Sequence, residues 1–165
     1  MGTGYHGGFG KTRGNKPIPG NATFKSKDYR YFDYIKNRKD VDVNGVFDIV
    51  AHGSTNHIQI EHQGNIEKVT SRQLSKIMHK KKGYKYKQPI RLLSCNTGAM
   101  PDGFAQNLAN KLNTIVYAPT NIVWAYPDGK HVVAPRSKED YNKPDLSKKG
   151  KFIAFYPGGN RKWKK

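Results

Sequence analysis

Cys95 is the sole cysteine of the chain, in the string RLLSCNTG (91–98), where a short apolar run gives way to a polar, glycine-ended turn. A thiol attacks a carbonyl carbon well only as the thiolate, and a nearby imidazole supplies the base or the stabilising cation. His52, in VAHGS (50–54), also closes an apolar run, 43 residues earlier. Either residue alone reads as a packing or surface residue; the pair, each ending a strand candidate, reads as a nucleophile and its acid–base partner. Gly53 lets a substrate backbone approach closely, and its N–H could help hold an oxyanion. Ser54, Ser94, Asn96 and Thr97 complete the candidate oxyanion and substrate-binding set, with Asn96 and Thr97 positioning the nucleophile loop. His52, His57 and His62 recur every five residues, which suits neither a helix face nor a strand face, and no HExxH string accompanies them. No metal site is expected.

Such a pair works only if adjacent strand ends project both side chains into one crevice. GVFDIVAHGS (45–54), PIRLLSC (89–95) and TIVYAP (114–119) are short strand candidates, read as apolar throughout 46–51, 90–94 and 114–118, as buried parallel strands should be. Between them, HIQIEHQGNIEKV (57–69) alternates around a Gly-Asn turn and predicts a hairpin. TSRQLSKIMHK (70–80) opens with Thr70 and Gln73 in capping-box spacing. PDGFAQNLANKLN predicts a helix with Phe104, Ala105, Leu108, Ala109 and Leu112 on one face, capped by Asp102. NIVWAYPDGKHVVAP (121–135) predicts a second hairpin around Pro127-Asp128-Gly129, and KFIAFYP (151–157) a last strand. Strand–helix–strand–helix–strand order predicts an α/β fold: a short, mainly parallel central sheet flanked by helices, with added β-hairpins. In open sheets of this kind sites form at the carboxyl ends of strands, where His52 and Cys95 both fall.

Composition bounds the rest. Residues 1–23 are crowded with glycine and predict a flexible basic arm; 24–157 predict a single domain, and 158–165 a basic tail. GGFGKT lacks the spacing and the preceding strand of a phosphate-binding loop. Lys25 to Asp40 sets Tyr29, Tyr31, Phe32, Tyr34 and Ile35 among basic residues, read as core-facing aromatics of a short helix rather than a base-stacking surface. One cysteine excludes a disulfide framework. No apolar run approaches the roughly 18 residues of a membrane span, and the N-terminus lacks the order of a secretory signal, so export needs another carrier. A net charge of +18 predicts salt-dependent, non-specific binding of polyanions, nucleic acid among them. Lys80, Lys81, Lys82, Lys85 and Lys87 form the densest candidate anion-binding patch.

HisGly ending one strand and SerCys ending the next resembles the signature of caspase-like cysteine peptidases, a group that includes gingipains, clostripain and the self-processing protease domains of bacterial toxins. The spacing is close to the roughly 50 residues between His and Cys in the caspase pattern. The caspase pentapeptide around the nucleophile is absent. The stretch Val46–Pro157 is also similar to the C-terminal tips of polymorphic bacterial toxins, which carry comparable LLSCNTG, AQ-LAN-L and V-APT strings. The resemblance implies a caspase/gingipain-like sheet, Cys95 as nucleophile, His52 as general acid–base, and the Gly53 and Cys95 amides as oxyanion donors. It implies a cysteine hydrolase, most simply a peptidase with a protein substrate, carried out of its cell or into a target cell as part of a larger bacterial protein and acting in the cytoplasm. It further implies an acidic immunity protein and, by analogy with toxin self-processing domains, an inositol polyphosphate activator; no other cofactor is expected. Two other readings stay open from the residues alone: a basic nuclease toxin domain, and a polyanion-binding module without catalysis.

Overall fold

The computed structural model describes residues 22–25, 30–41 and 45–159. The apolar strings become the centre of the molecule. Phe47–Val50 (β2), Ile90–Leu93 (β6) and Val116–Pro119 (β7) lie side by side and parallel. A two-residue strand, Ala22–Thr23 (β1), extends the sheet beside β2, also parallel. Phe152–Phe155 (β10) closes the far edge antiparallel to β7. Among the described residues the order is therefore β1-β2-β6-β7-β10. Every residue of β2 and β6 is buried, which explains their lack of polar alternation. The sheet thus begins two residues inside the segment expected to be a free arm; residues 1–21 of that arm and 160–165 of the tail lie outside the described residues.

Both faces of the sheet are covered. On one side pack helix Ser71–His79 (α2) and helix Phe104–Leu112 (α3), with Phe47, Ile49, Ala51, Ile90 and Leu92 pointing to them. The predicted capping box is present: the Gln73 amide donates to Thr70 Oγ1 at 3.3 Å, and the Gln73 side chain accepts from the Thr70 amide at 2.9 Å. All five predicted residues of α3 are buried, and full burial of a Leu or Phe contributes about 1.5–3 kcal/mol each. Its N-terminus is capped otherwise than expected. Gly103, not Asp102, is the cap residue, and the Thr55 carbonyl accepts from the Phe104 amide at 2.9 Å. A side chain at 103 would sit 2.8 Å from that carbonyl, so glycine is required by the close approach.

The other side is covered by helix Arg30–Ile35 (α1) and the hairpin of Val123–Ala125 (β8) and His131–Val133 (β9), turning at Pro127-Asp128-Gly129 as predicted. Phe32, Ile35, Val50, Leu93, Val123, Val133 and Phe152 form this second apolar cluster. Of the aromatic run, Phe32 and Ile35 of α1 are core and Tyr31 packs against it, whereas Tyr34 is half-exposed and Tyr29 lies outside the described residues. A third sheet joins His52–Gly53 (β3), Ile58–His62 (β4) and Asn65–Val69 (β5). Its hairpin turns at Gln63-Gly64, one residue earlier than expected, with φ of 53° and 81°. Two consecutive positive φ values define the two-residue turn whose twist matches the strands.

Candidate active site

The parallel pairing of β2 with β6 sets Val50 opposite Leu93. His52 and Cys95 each lie two residues further on, at the carboxyl ends of neighbouring strands. Alternation then assigns their face: Val50 and Leu93 point to the α1 side, and so do the residues two positions beyond. The contacts agree. The His52 imidazole stands edge-on to the Phe32 ring, centroids 4.9 Å apart, and Cys95 packs on the cluster that contains Phe32. Gly53 brings the two motifs into direct contact. A Cβ there would lie 2.9 Å from the Cys95 carbonyl oxygen, from Ser94 Cβ and from Thr97 Cγ2.

Cys95 is half-buried, and its sulfur accepts a hydrogen bond from the Val123 amide at 3.3 Å. Burial pushes its thiol above the usual range, against the pull of the Val123 and Cys95 amides and of the Arg136 cation. Burial likewise pushes the His52 imidazole below its ordinary value. Burial thus favours a neutral Cys95 thiol and a neutral His52 imidazole at neutral pH, the protonation states of a general base and its nucleophile rather than of a preformed thiolate–imidazolium pair.

The remaining predicted residues divide. Asn96 takes a left-handed conformation (φ 63°) and its amide donates to the Asn121 carbonyl at 3.0 Å, which shapes the loop after the cysteine. Thr97 Oγ1 donates to the Ser94 carbonyl at 2.9 Å. Both Ser94 and Thr97 are fully buried, so they build the loop from beneath instead of meeting a substrate. Ser94 points away from Cys95, following the alternation of β6, and its Oγ has no hydrogen-bond partner among the described residues. Ser54 Oγ is 2.8 Å from His57 Nδ1 and 3.1 Å from Asn56 Oδ1, on the turn beyond Gly53. Lys80, Lys81, Lys82, Lys85 and Lys87 lie on the connection that enters β6, at the end of the strand opposite Cys95. The fold does not bring them to the dyad. Among the described residues no group of three His, Cys, Asp or Glu side chains could hold a metal ion.

Sequence reasoning missed a buried ionic chain on the face of the sheet toward which His52 and Cys95 point. Arg38 Nε donates to Asp48 Oδ2 at 2.9 Å, and Arg91 bonds both Asp48 oxygens at 2.8 and 2.7 Å. Arg91 Nη1 also reaches Asp40 Oδ2 at 3.0 Å, which His131 Nε2 meets at 2.7 Å. Burial raises the Asp40 carboxyl, but His131 and Arg91 outweigh it and hold the group below the usual range. The chain ties β2, β6 and the loop after α1 to the β8–β9 hairpin, beside a cavity of about 520 Å³ lined by Lys39, Asp40, Tyr126 and His131 among others. The signal was present: Asp48 in FDIV and Arg91 in IRLL are opposite charges at matching positions of two otherwise apolar strands.

The arrangement is that of a mixed α/β protein with a mostly parallel central sheet, antiparallel hairpins and a single thiol at a strand end. The chain belongs to the family described as Domain of unknown function (DUF8616), whose model matches residues 21–133 and so takes in both His52 and Cys95. No curated protein and no solved structure matches the chain.

Proposed function

We propose that the protein is a cysteine hydrolase of the caspase-like kind, a peptidase whose dyad is Cys95 and His52. The observation that carries this reading is the register of β2 and β6, which sets the HisGly and SerCys motifs at neighbouring strand ends, with Gly53 packed on the Cys95 carbonyl. The chemistry follows from the protonation states. His52 removes the thiol proton as Cys95 Sγ bonds to the substrate carbonyl carbon; the carbonyl electrons move to oxygen, where backbone N–H groups of the crevice receive them. His52 then returns the proton to the departing amine; water, giving its proton to the same imidazole, attacks the thioester carbonyl, and as the C–S bond breaks the imidazolium returns that proton to the leaving Cys95 thiolate. The parallel sheet with both motifs at carboxyl ends is compatible with a caspase-like arrangement, as it is with other open α/β sheets. The +18 charge suits a toxic domain of a secreted bacterial protein that is held in check by an acidic immunity partner.

The test is hydrolysis and toxicity in Cys95→Ala and His52→Ala variants. Each should lose activity by roughly 10⁴-fold or more while keeping a cooperative melt. Full toxicity from Cys95→Ala would end this reading.

A further inference from the structure

The ladder between β2 and β6 is not uniform. At its start the Phe47 amide meets the Pro89 carbonyl at 2.8 Å; at its last rung the Ala51 amide is 3.5 Å from the Leu93 carbonyl. That exceeds the roughly 3.2 Å of an ordinary N–H···O bond. The strands therefore part where His52 and Cys95 emerge. A second donor meets the same carbonyl: Tyr31 Oη of α1 donates to Leu93 O at 2.8 Å. Tyr31 packs on the same apolar cluster as Cys95, and its ring meets Phe32, which in turn faces His52. Burial raises the Tyr31 phenol, and a charge on Cys95 would raise it further, so the two groups lie within electrostatic reach.

We propose that Tyr31 is a positioning residue for Cys95: its hydroxyl takes over the Leu93 carbonyl at the parted rung, holds the strand ends open, and fixes the Leu93–Ser94 peptide that leads into the cysteine loop. A buried phenol needs one acceptor somewhere; here the acceptor is the carbonyl two residues before the thiol, at the stretched last rung. The inference rests on the reading of Cys95 as a nucleophile, but thiol reactivity can be followed without a substrate. Because Cys95 is the only thiol, alkylation by iodoacetamide reads it alone.

The experiment is the pH profile of that alkylation in the full chain, for wild type, Tyr31→Phe and the control Tyr34→Phe on the same helix. Tyr31→Phe should lower the rate at neutral pH about fivefold, the equivalent of one ordinary hydrogen bond, and move the midpoint upward as the sulfur loses its fixed place by the Val123 amide. Tyr34→Phe should superimpose on wild type. Superposition of Tyr31→Phe, or an equal change in both variants, overturns the proposal even if melting temperatures fall. Tyr31→His, which keeps a ring donor, supplies the comparison if Tyr31→Phe does not fold. Loss of hydrolysis in Cys95→Ala with an unmoved Tyr31→Phe profile would sink the positioning role and leave the nucleophile standing; a moved profile with Cys95→Ala still active would do the reverse.

Discussion

Asp48 and Arg91 face each other across the parallel pair of β2 and β6, with both carboxylate oxygens engaged by the guanidinium at 2.8 and 2.7 Å. The side chains are 4% and 1% exposed, so the pair lies in the core and is screened little by solvent. Each stands four residues before a member of the dyad on the same face of its strand. Their register is thus the register of the candidate active site.

Removing Arg91 takes two charge-assisted bonds from buried Asp48 and leaves the one from Arg38. Arg91→Met should therefore cost about 2–4 kcal/mol of stability, below the full loss expected for an uncompensated charge, read as a lowered denaturant midpoint. The strands would also lose a specifier of register, so thiol reactivity should become heterogeneous in the fraction that still folds. An unchanged midpoint would show that the pair contributes no more than a surface contact.

Gly53 offers a test closer to the sulfur. A methyl group there meets the Cys95 carbonyl, Ser94 Cβ and Thr97 Cγ2, all at 2.9 Å, and two of the three belong to a buried loop with no room to yield. Gly53→Ala should cost about 1–3 kcal/mol and displace the cysteine loop, so thermal melting and Cys95 alkylation should both change. Gly64→Ala, at a turn where a methyl group meets nothing within 4 Å, is the control. It should pay only the backbone cost of its positive φ, about 1–2 kcal/mol, and leave alkylation unaltered.

Burial shifts the two members of the proposed dyad in opposite directions. His52 is lowered in the folded protein, so its neutral form contributes stability that is fully present above about pH 6.5 and is lost as pH falls toward the folded value. Cys95 is raised, so its neutral thiol contributes stability present below about pH 8.5 and lost as pH rises through the folded value. Urea unfolding should show both limbs, and His52→Gln should remove the acidic contribution of this group. Alkylation of Cys95 should reach half its maximum above pH 8.5. A midpoint near 7 would mean that a cation has reached the sulfur and that the dyad works as an ion pair instead.

Much of this was legible before any coordinates. Continuous apolar strings marked β2, β6 and β7, because strands covered on both faces leave no polar alternation to read. The Thr70 and Gln73 spacing gave α2 its start, and the 3.6-residue spacing of Phe104 to Leu112 gave α3 its inner face. The strand-end rule put His52 and Cys95 at the carboxyl ends of neighbouring strands, where the register of β2 and β6 sets them. What stayed hidden depended on tertiary register. Asp48 and Arg91 were passed over inside strings read as apolar, since a buried pair is visible only when the partner is known. β1 has two residues and no pattern of its own; it is a strand because β2 lies beside it. Tyr31 and Phe32 could be assigned to a core, but not to the wall beside His52. Asp102 has the chemistry of a cap, yet the close approach of the Thr55 carbonyl gave the position to Gly103.

The placement of the sulfur has a practical use. It sits where β6 ends, against the first amide of β8 and beside the cluster that α1 covers. A nitroxide or fluorophore attached to Cys95 needs no other cysteine removed, and it would stand at the junction of three elements. Such a label would act as a strain gauge, reporting in one spectrum whether the central sheet, the hairpin and the first helix move as a single body or slide past one another.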